Sequence, residues 1–430
     1  MAQAEAYEDI SPFVPPEPVC FVNHDRAKAI MAEDNLDALF ASEDANLYYL
    51  SGHAPDSVLA HFYEPWACAI YPRHDGIPPT LITGEYDMTY CLTHPTWMEA
   101  RYYGTEWTAI STMLKKVHGG LGIGTELHKP LQNLYESTLP KRQATYFDAV
   151  VDFIETEMPK GNLRIGFDDL RMGGEVQEKI GSRLEVVDGK RAFRRIRLVK
   201  TEPEIEILKQ GMVVNENAVR AAGAAVKEGH SCMEMVNAYR DAVQRGGGKW
   251  LGERGMLFGA GPDGAFVLDH DYTERMTFER GQGVILDCIC LYKLYHADSA
   301  RTACVGEPSN YQKMMHEVVK EAIAAGESNL KAGMHSSDLE RMGMEVFEKS
   351  DLPTEGATVI YHPIGLNVFD FATPEDAASG WVMETNTMVN FEVFYRHPEH
   401  GGMHMEDTTR VTETGVERFT TLPHEIIVAG

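Results

Sequence analysis

From His24 to Asn35 apolar residues recur every three to four positions, the period of a helix with one buried face. Leu36–Ala41 follows as a short apolar run of strand length, and Glu64–Pro72 and Pro79–Thr83 read as further strands. Tyr146–Glu157 again has helical spacing, and Leu163–Phe167 reads as a strand. This alternation predicts an α/β domain over residues 1–195. The pattern changes after the Lys190–Thr201 stretch. Thr201-Glu-Pro-Glu204 has capping-box spacing with Pro203 in the first turn, so a new helix starts there and runs through Ile205, Leu208, Met212 and Val213. Beyond it, long helices mix with antiparallel strand pairs, which predicts an α+β domain over residues 196–430. No internal repeat is found.

Two of those strand pairs carry acids. Val284 to Thr302 is strand-like at both ends, and a turn at Tyr292–Lys293 would set Asp287 directly opposite Asp298. Val389–Tyr395 and Met403–Val411 flank the turn-rich His397-Pro-Glu-His-Gly-Gly402, which sets Glu392 opposite Glu406. Like charges so placed destabilise a hairpin unless a cation lies between them. One opposed pair is readily a solvated surface feature, whereas two pairs among apolar residues point to metal. With His362 the set is rich in oxygen and suits Mn, Fe, Co or Zn.

Composition narrows the partners. The formal charge is −26, from 65 acidic and 39 basic residues, which argues against nucleic acid or anionic membranes as partners. No apolar run approaches the roughly 20 residues that span a bilayer. Met1–Pro18 is acidic and proline-rich, without the order of a signal peptide. The seven cysteines are scattered, without a CxxC pair, so a cytoplasmic location is expected. Cys288 and Cys290, beside Asp287, read as core residues. Gly246-Gly-Gly-Lys249 lacks the spacing of a phosphate loop and reads as a flexible turn. His397, His400 and His404 lie near the second hairpin turn and are expected to be exposed or at a pocket mouth, not in a second metal site.

Taken together, Asp287 with Asp298-Ser-Ala-Arg-Thr302, His362-Pro-Ile-Gly365, Glu392, Glu406-Asp407 and Val411-Thr-Glu-Thr-Gly415 resemble the superfamily of methionine aminopeptidases, prolidases and creatinases (family M24). The spacings from Asp287 are 11, 64, 30 and 14 residues. The resemblance covers roughly 196–425. It implies a pita-bread catalytic domain preceded by a creatinase-type α/β N-terminal domain. It also implies two divalent metal ions on Asp287, Asp298, His362, Glu392 and Glu406. His270, 17 residues before Asp287, falls where the family has a histidine beside the substrate. In this superfamily the N-terminal domain of one subunit can cover its neighbour's site, so a homodimer is expected. Trp66 and Trp97 are candidates to close the pocket, against a purely structural role.

One departure matters. The peptidases of the superfamily carry a second histidine seven residues after the ligand histidine, and here that position is Phe369, which cannot donate or accept a proton. The branch of the fold that keeps the ligands and lacks this histidine is similar to the dimethylsulfoniopropionate lyases, which use an acid shortly after the ligand histidine. The leading expectation is therefore a lyase that releases dimethyl sulfide and acrylate. Asp370 would be its base, and Tyr361, Phe369, Trp381 and Tyr395 would face the sulfonium. The alternative is an Xaa-Pro dipeptidase, aminopeptidase or small-amide hydrolase, with Glu392 carrying the proton. A non-catalytic binding module is a third reading, disfavoured by the complete ligand set. All take a small molecule as partner.

Overall fold

The computed structural model describes residues 14–59, 66–104, 125–262, 264 and 276–430. Its internal contacts divide the chain into Met1–Ile196 and Arg197–Gly430.

In the first unit β1 (Ala38–Ala41), β2 (Ala67–Pro72), β3 (Thr80–Gly84), β4 (Glu99–Tyr103), β5 (Leu163–Phe167) and β6 (Leu184–Asp188) form one sheet, ordered β4-β3-β2-β1-β5-β6. β1 runs parallel to β5 and antiparallel to β2, so the sheet is mixed. The helix His24–Glu33 ends where Asn35 turns left-handed (φ 53°) and Leu36 N–H donates back to Met31. That closure delays β1 to Ala38. The helix Tyr146–Thr156 sets Ala149, Val150, Phe153 and Ile154 in one core with Phe40, Ile70, Ile165 and Phe167 of the sheet.

The second unit opens with the helix Glu202–Ala225, started by the expected capping box of Thr201 and Glu204. Its strands are β7 (Lys249–Trp250), β8 (Met256–Ala260), β9 (Gly283–Tyr292), β10 (Tyr295–Val305), β11 (Ala357–Pro363), β12 (Met388–His397), β13 (Gly401–Val411), β14 (Val416–Arg418) and β15 (Ile427–Ala429). The main path is β11-β12-β13-β10-β9-β7, with β8, β14 and β15 pairing beside it. Val359 and Tyr361 of β11, Val389, Phe391, Val393 and Tyr395 of β12, and Met403 and Met405 of β13 share one core with the helices Asn310–Glu327 and Ser336–Glu348. Strand side chains alternate between faces, so the even-numbered residues of these three strands point the other way.

The two acid hairpins differ. In β12–β13, Glu392 pairs with Glu406 as the sequence predicts. In β9–β10 the turn is Lys293–Leu294, both left-handed (φ 48° and 65°), one residue beyond the expected Tyr292–Lys293. Asp287 therefore pairs with Ala300, and Asp298 with Ile289. A two-residue hairpin loop with both residues at positive φ matches the twist of its strands, and Lys-Leu carries none of the usual Asn-Gly signal for it. The two aspartates still share a face, on the diagonal.

Candidate metal centre

Strand register builds the centre. Ala300 of β10 pairs with Asp287 on one side and with Glu406 on the other, and Glu406 pairs with Glu392. Asp287, Ala300, Glu406 and Glu392 thus form one row across four strands, with a single methyl in its middle. Two residues along, on the same face, stand Asp298, Thr408, Asn390 and His362. All five expected ligands are therefore on one face, and all are buried.

Ligand atoms of Asp298, His362 and Glu406 lie within 4.8 Å of one another, as do those of Glu392, His404 and Glu406. Glu406 belongs to both groups, the position of a bridging carboxylate. His362 Nε2 is 3.5 Å from Glu406 Oε1 and 4.0 Å from Glu392 Oε1. His362 Nδ1 is 3.0 Å from the Val368 carbonyl, which can only accept, so Nδ1 carries the proton and Nε2 is left as a donor atom for a metal. Asn390 Nδ2 donates to Glu406 Oε1 at 2.7 Å, and Thr408 Oγ1 donates to Asn390 Oδ1 at 2.7 Å, which fixes the Glu406 carboxylate. Behind the row, the buried Arg301 donates to the carbonyls of Ala300 and Glu406 and to Asp407 Oδ1.

The electrostatics of these residues fit a cation. Burial, and then the charges of Glu406 and its neighbours, push the Asp287 and Asp298 carboxyls well above the usual carboxylate range. Burial opposes charge on His362 too, but Glu406 and Glu392 outweigh it and raise the imidazole. Asp298 Oδ1 and Glu406 Oε2 are buried and accept no hydrogen bond among the described residues. Such atoms are costly unless paired. Divalent ions would satisfy both, held by Asp287, Asp298, His362, Glu392 and Glu406.

The other expected residues divide. Asp370 is buried and tied to Arg197 (2.6 Å) and Lys200 (3.5 Å). Burial raises its carboxyl, but those cations outweigh it and hold the group down to about 2. That is a charge partner, and a poor proton acceptor. Tyr361, Trp381 and Tyr395 correct the expectation of a substrate-facing set, because all three belong to the helix-side core. Tyr361 stacks on Phe391 and Tyr395 on Phe347. Phe369 alone is exposed beside the ligands, its ring centroid 4.3 Å from that of His362. His270 lies outside the described residues. Cys288 and Cys290 are buried on the face away from the ligands, where burial pushes both thiols up. Gly247 is left-handed (φ 80°) in the turn before β7. His397 and His400 pack on Tyr311. Trp66 and Trp97 donate their indole N–H groups to Asp87 and to the Leu50 carbonyl.

His404 overturns its reading as an exposed or pocket-mouth residue. It is fully buried on the ligand face, with Nε2 3.4 Å from Glu392 Oε2. Its even number on β13, two before Glu406, was the available signal. Asn390 and Thr408 carried the same parity signal and were also missed.

Residues 206–413 match the family model for metallopeptidase family M24. An Xaa-Pro dipeptidase of Pyrococcus furiosus is 26% identical over 235 residues, which is 55% of this chain and 66% of the relative. An Xaa-Pro dipeptidase of Pyrococcus horikoshii is 24% identical over 397 residues, 92% of this chain and 96% of the relative. The crystal structure of an X-Pro aminopeptidase from Thermotoga maritima matches with a TM-score of 0.70 at 21% identity, covering 94% of this chain and all of the other. The fold is thus the pita-bread fold with an N-terminal domain before it. Among the described residues no helix is long and apolar enough to cross a membrane.

Proposed function

We propose that this chain is a divalent-metal-dependent hydrolase of small amide substrates, with Xaa-Pro dipeptides as the substrate class. The observation that carries the reading is the buried Glu392–Glu406 pair with two imidazoles within 4.0 Å of its carboxylates. Two relatives named Xaa-Pro dipeptidase support the substrate class, one of them along 92% of the chain. Bound metal supplies a water acidified toward neutral pH and a Lewis acid for the amide carbonyl. Asn390 and Thr408 hold Glu406 in place, the Val368 carbonyl orients His362, and Glu392 takes a proton and returns it to the leaving nitrogen. Phe369 takes the position where the resemblance to the peptidases implies a hydrogen-bond donor for the tetrahedral step, and its apolar ring shields one side of His362.

The lyase reading loses its supports. Its base, Asp370, is committed to Arg197 and Lys200, and three of its four aromatic contacts are core residues. The test is to load the protein with Mn²⁺ or Zn²⁺ and offer Gly-Pro and dimethylsulfoniopropionate in parallel. Proline release that is lost in Glu406→Gln supports the hydrolase. Dimethyl sulfide release without proline overturns it.

A further inference from the structure

His404 is the residue of the centre that the ligand pattern does not account for. It lies on β13, two positions before Glu406 and on the same face. Its backbone is fixed, since Thr302 Oγ1 bonds both the His404 N–H (2.9 Å) and the His404 carbonyl (3.1 Å). Its ring is fixed as well, stacked on Phe394 with centroids 3.4 Å apart and planes 19° from parallel. The stack directs the ring edge along the sheet, with Nε2 3.4 Å from Glu392 Oε2 and Nδ1 3.9 Å from Asp287 Oδ2.

Neither ring nitrogen makes a hydrogen bond among the described residues, although both are buried. A neutral imidazole has one donor and one acceptor, and hiding both without partners is costly. The contact with Glu392 Oε2, at 3.4 Å, holds the two side chains together but is not aligned as a full hydrogen bond. What the ring does share is a ligand-atom cluster with Glu392 and Glu406, all within 4.8 Å.

We propose that His404 is itself a metal ligand, its Nε2 joining Glu392 and Glu406 around one ion while His362 joins Asp298 and Glu406 around the other. Each ion then receives one imidazole. The inference rests on the metal-centre reading of the proposed function and deepens it. It implies that the centre prefers nitrogen-seeking ions such as Zn²⁺ and Co²⁺ over Mn²⁺ more strongly than a set with a single imidazole. Because Nδ1 faces Asp287, the second nitrogen has a carboxylate to donate to once Nε2 is bound.

The test is a Zn²⁺ competition titration against a chelating indicator, with X-ray absorption at the zinc edge. It compares wild type, His404→Gln, His404→Ala and the hairpin-turn control His400→Ala. The expected result is two sites in wild type and in the control, and about one imidazole per zinc. The His404 variants should bind the weaker zinc about 10–100-fold less tightly, with the imidazole count roughly halved. Two tight sites with an unchanged imidazole count in both variants overturn the inference and leave the metal centre standing. A wild type that binds no zinc overturns the metal centre and the inference together. The imidazole count in wild type needs no variant to fold, and about one half per zinc there also overturns the inference.

Discussion

Glu392 and Glu406 stand opposite each other on β12 and β13, both buried, and Asn390 donates to only the second of them. The amide bond sets the orientation of Glu406, the carboxylate common to both ligand clusters. Asn390→Ala should therefore weaken metal affinity about 10–100-fold without changing the number of sites. A zinc or manganese titration checks it, and unchanged affinity would mean that Glu406 holds its position unaided. Thr408→Val removes the hydroxyl behind Asn390 and should act in the same direction, more weakly.

Asp370 separates a structural role from a catalytic one. Its folded-state pKa is lowered to about 2, below the ordinary 3.8, with Arg197 and Lys200 outweighing burial. A lowered acid contributes stability that is fully present above about pH 4 and is lost as pH falls through 2, here about 2 kcal/mol. Asp370→Asn should abolish that acid-side loss. It should also cost about 3–5 kcal/mol at neutral pH, because it strips a partner from two buried cations. Denaturant melts of both proteins between pH 2 and pH 7 read both effects. A variant as stable as wild type whose kcat has dropped about 100-fold or more would restore Asp370 as the base.

Much of the centre was legible because β-strands alternate with a period of two. Glu392 and Glu406 could be paired from the turn-rich His397–Gly402 alone, since a chain reversal rich in Gly and Pro is hard to place elsewhere. The Asp287–Asp298 register slipped because Lys293 and Leu294 adopt positive φ without the residues that usually announce it. The slip left both acids on one face, as the true register is displaced by two positions. Tyr361 and Tyr395 failed on the same rule used in reverse, for their odd parity on β11 and β12 sends them to the helices. Asp370 failed for another reason: Arg197 and Lys200 are more than 160 residues away in sequence, and no local pattern shows such a pair.

Phe369 offers a gain-of-function test. It is exposed beside His362 and occupies the position seven residues after it. Phe369→His restores a donor that can meet charge developing on a carbonyl oxygen. We expect kcat for Gly-Pro to rise about 10-fold or more, with KM little changed. No rise would show that this position does not reach the reacting carbonyl.

Arg301 ties the strands together behind the acids. It is buried and bonds the carbonyls of Ala300, Glu406, Leu422 and Pro423 and the carboxylate of Asp407. Arg301→Met should cost about 3–5 kcal/mol, since it leaves Asp407 buried with fewer partners. A denaturant midpoint within experimental error of wild type would contradict that role.

The central claim is most directly tested by proline release from Gly-Pro, measured on chelator-stripped protein as Zn²⁺ or Mn²⁺ is titrated back. The account predicts no turnover without metal, recovery that tracks occupancy of the centre, and no recovery in Glu406→Gln. Turnover that persists in the stripped protein, or fully occupied metal sites with no proline released, would contradict it.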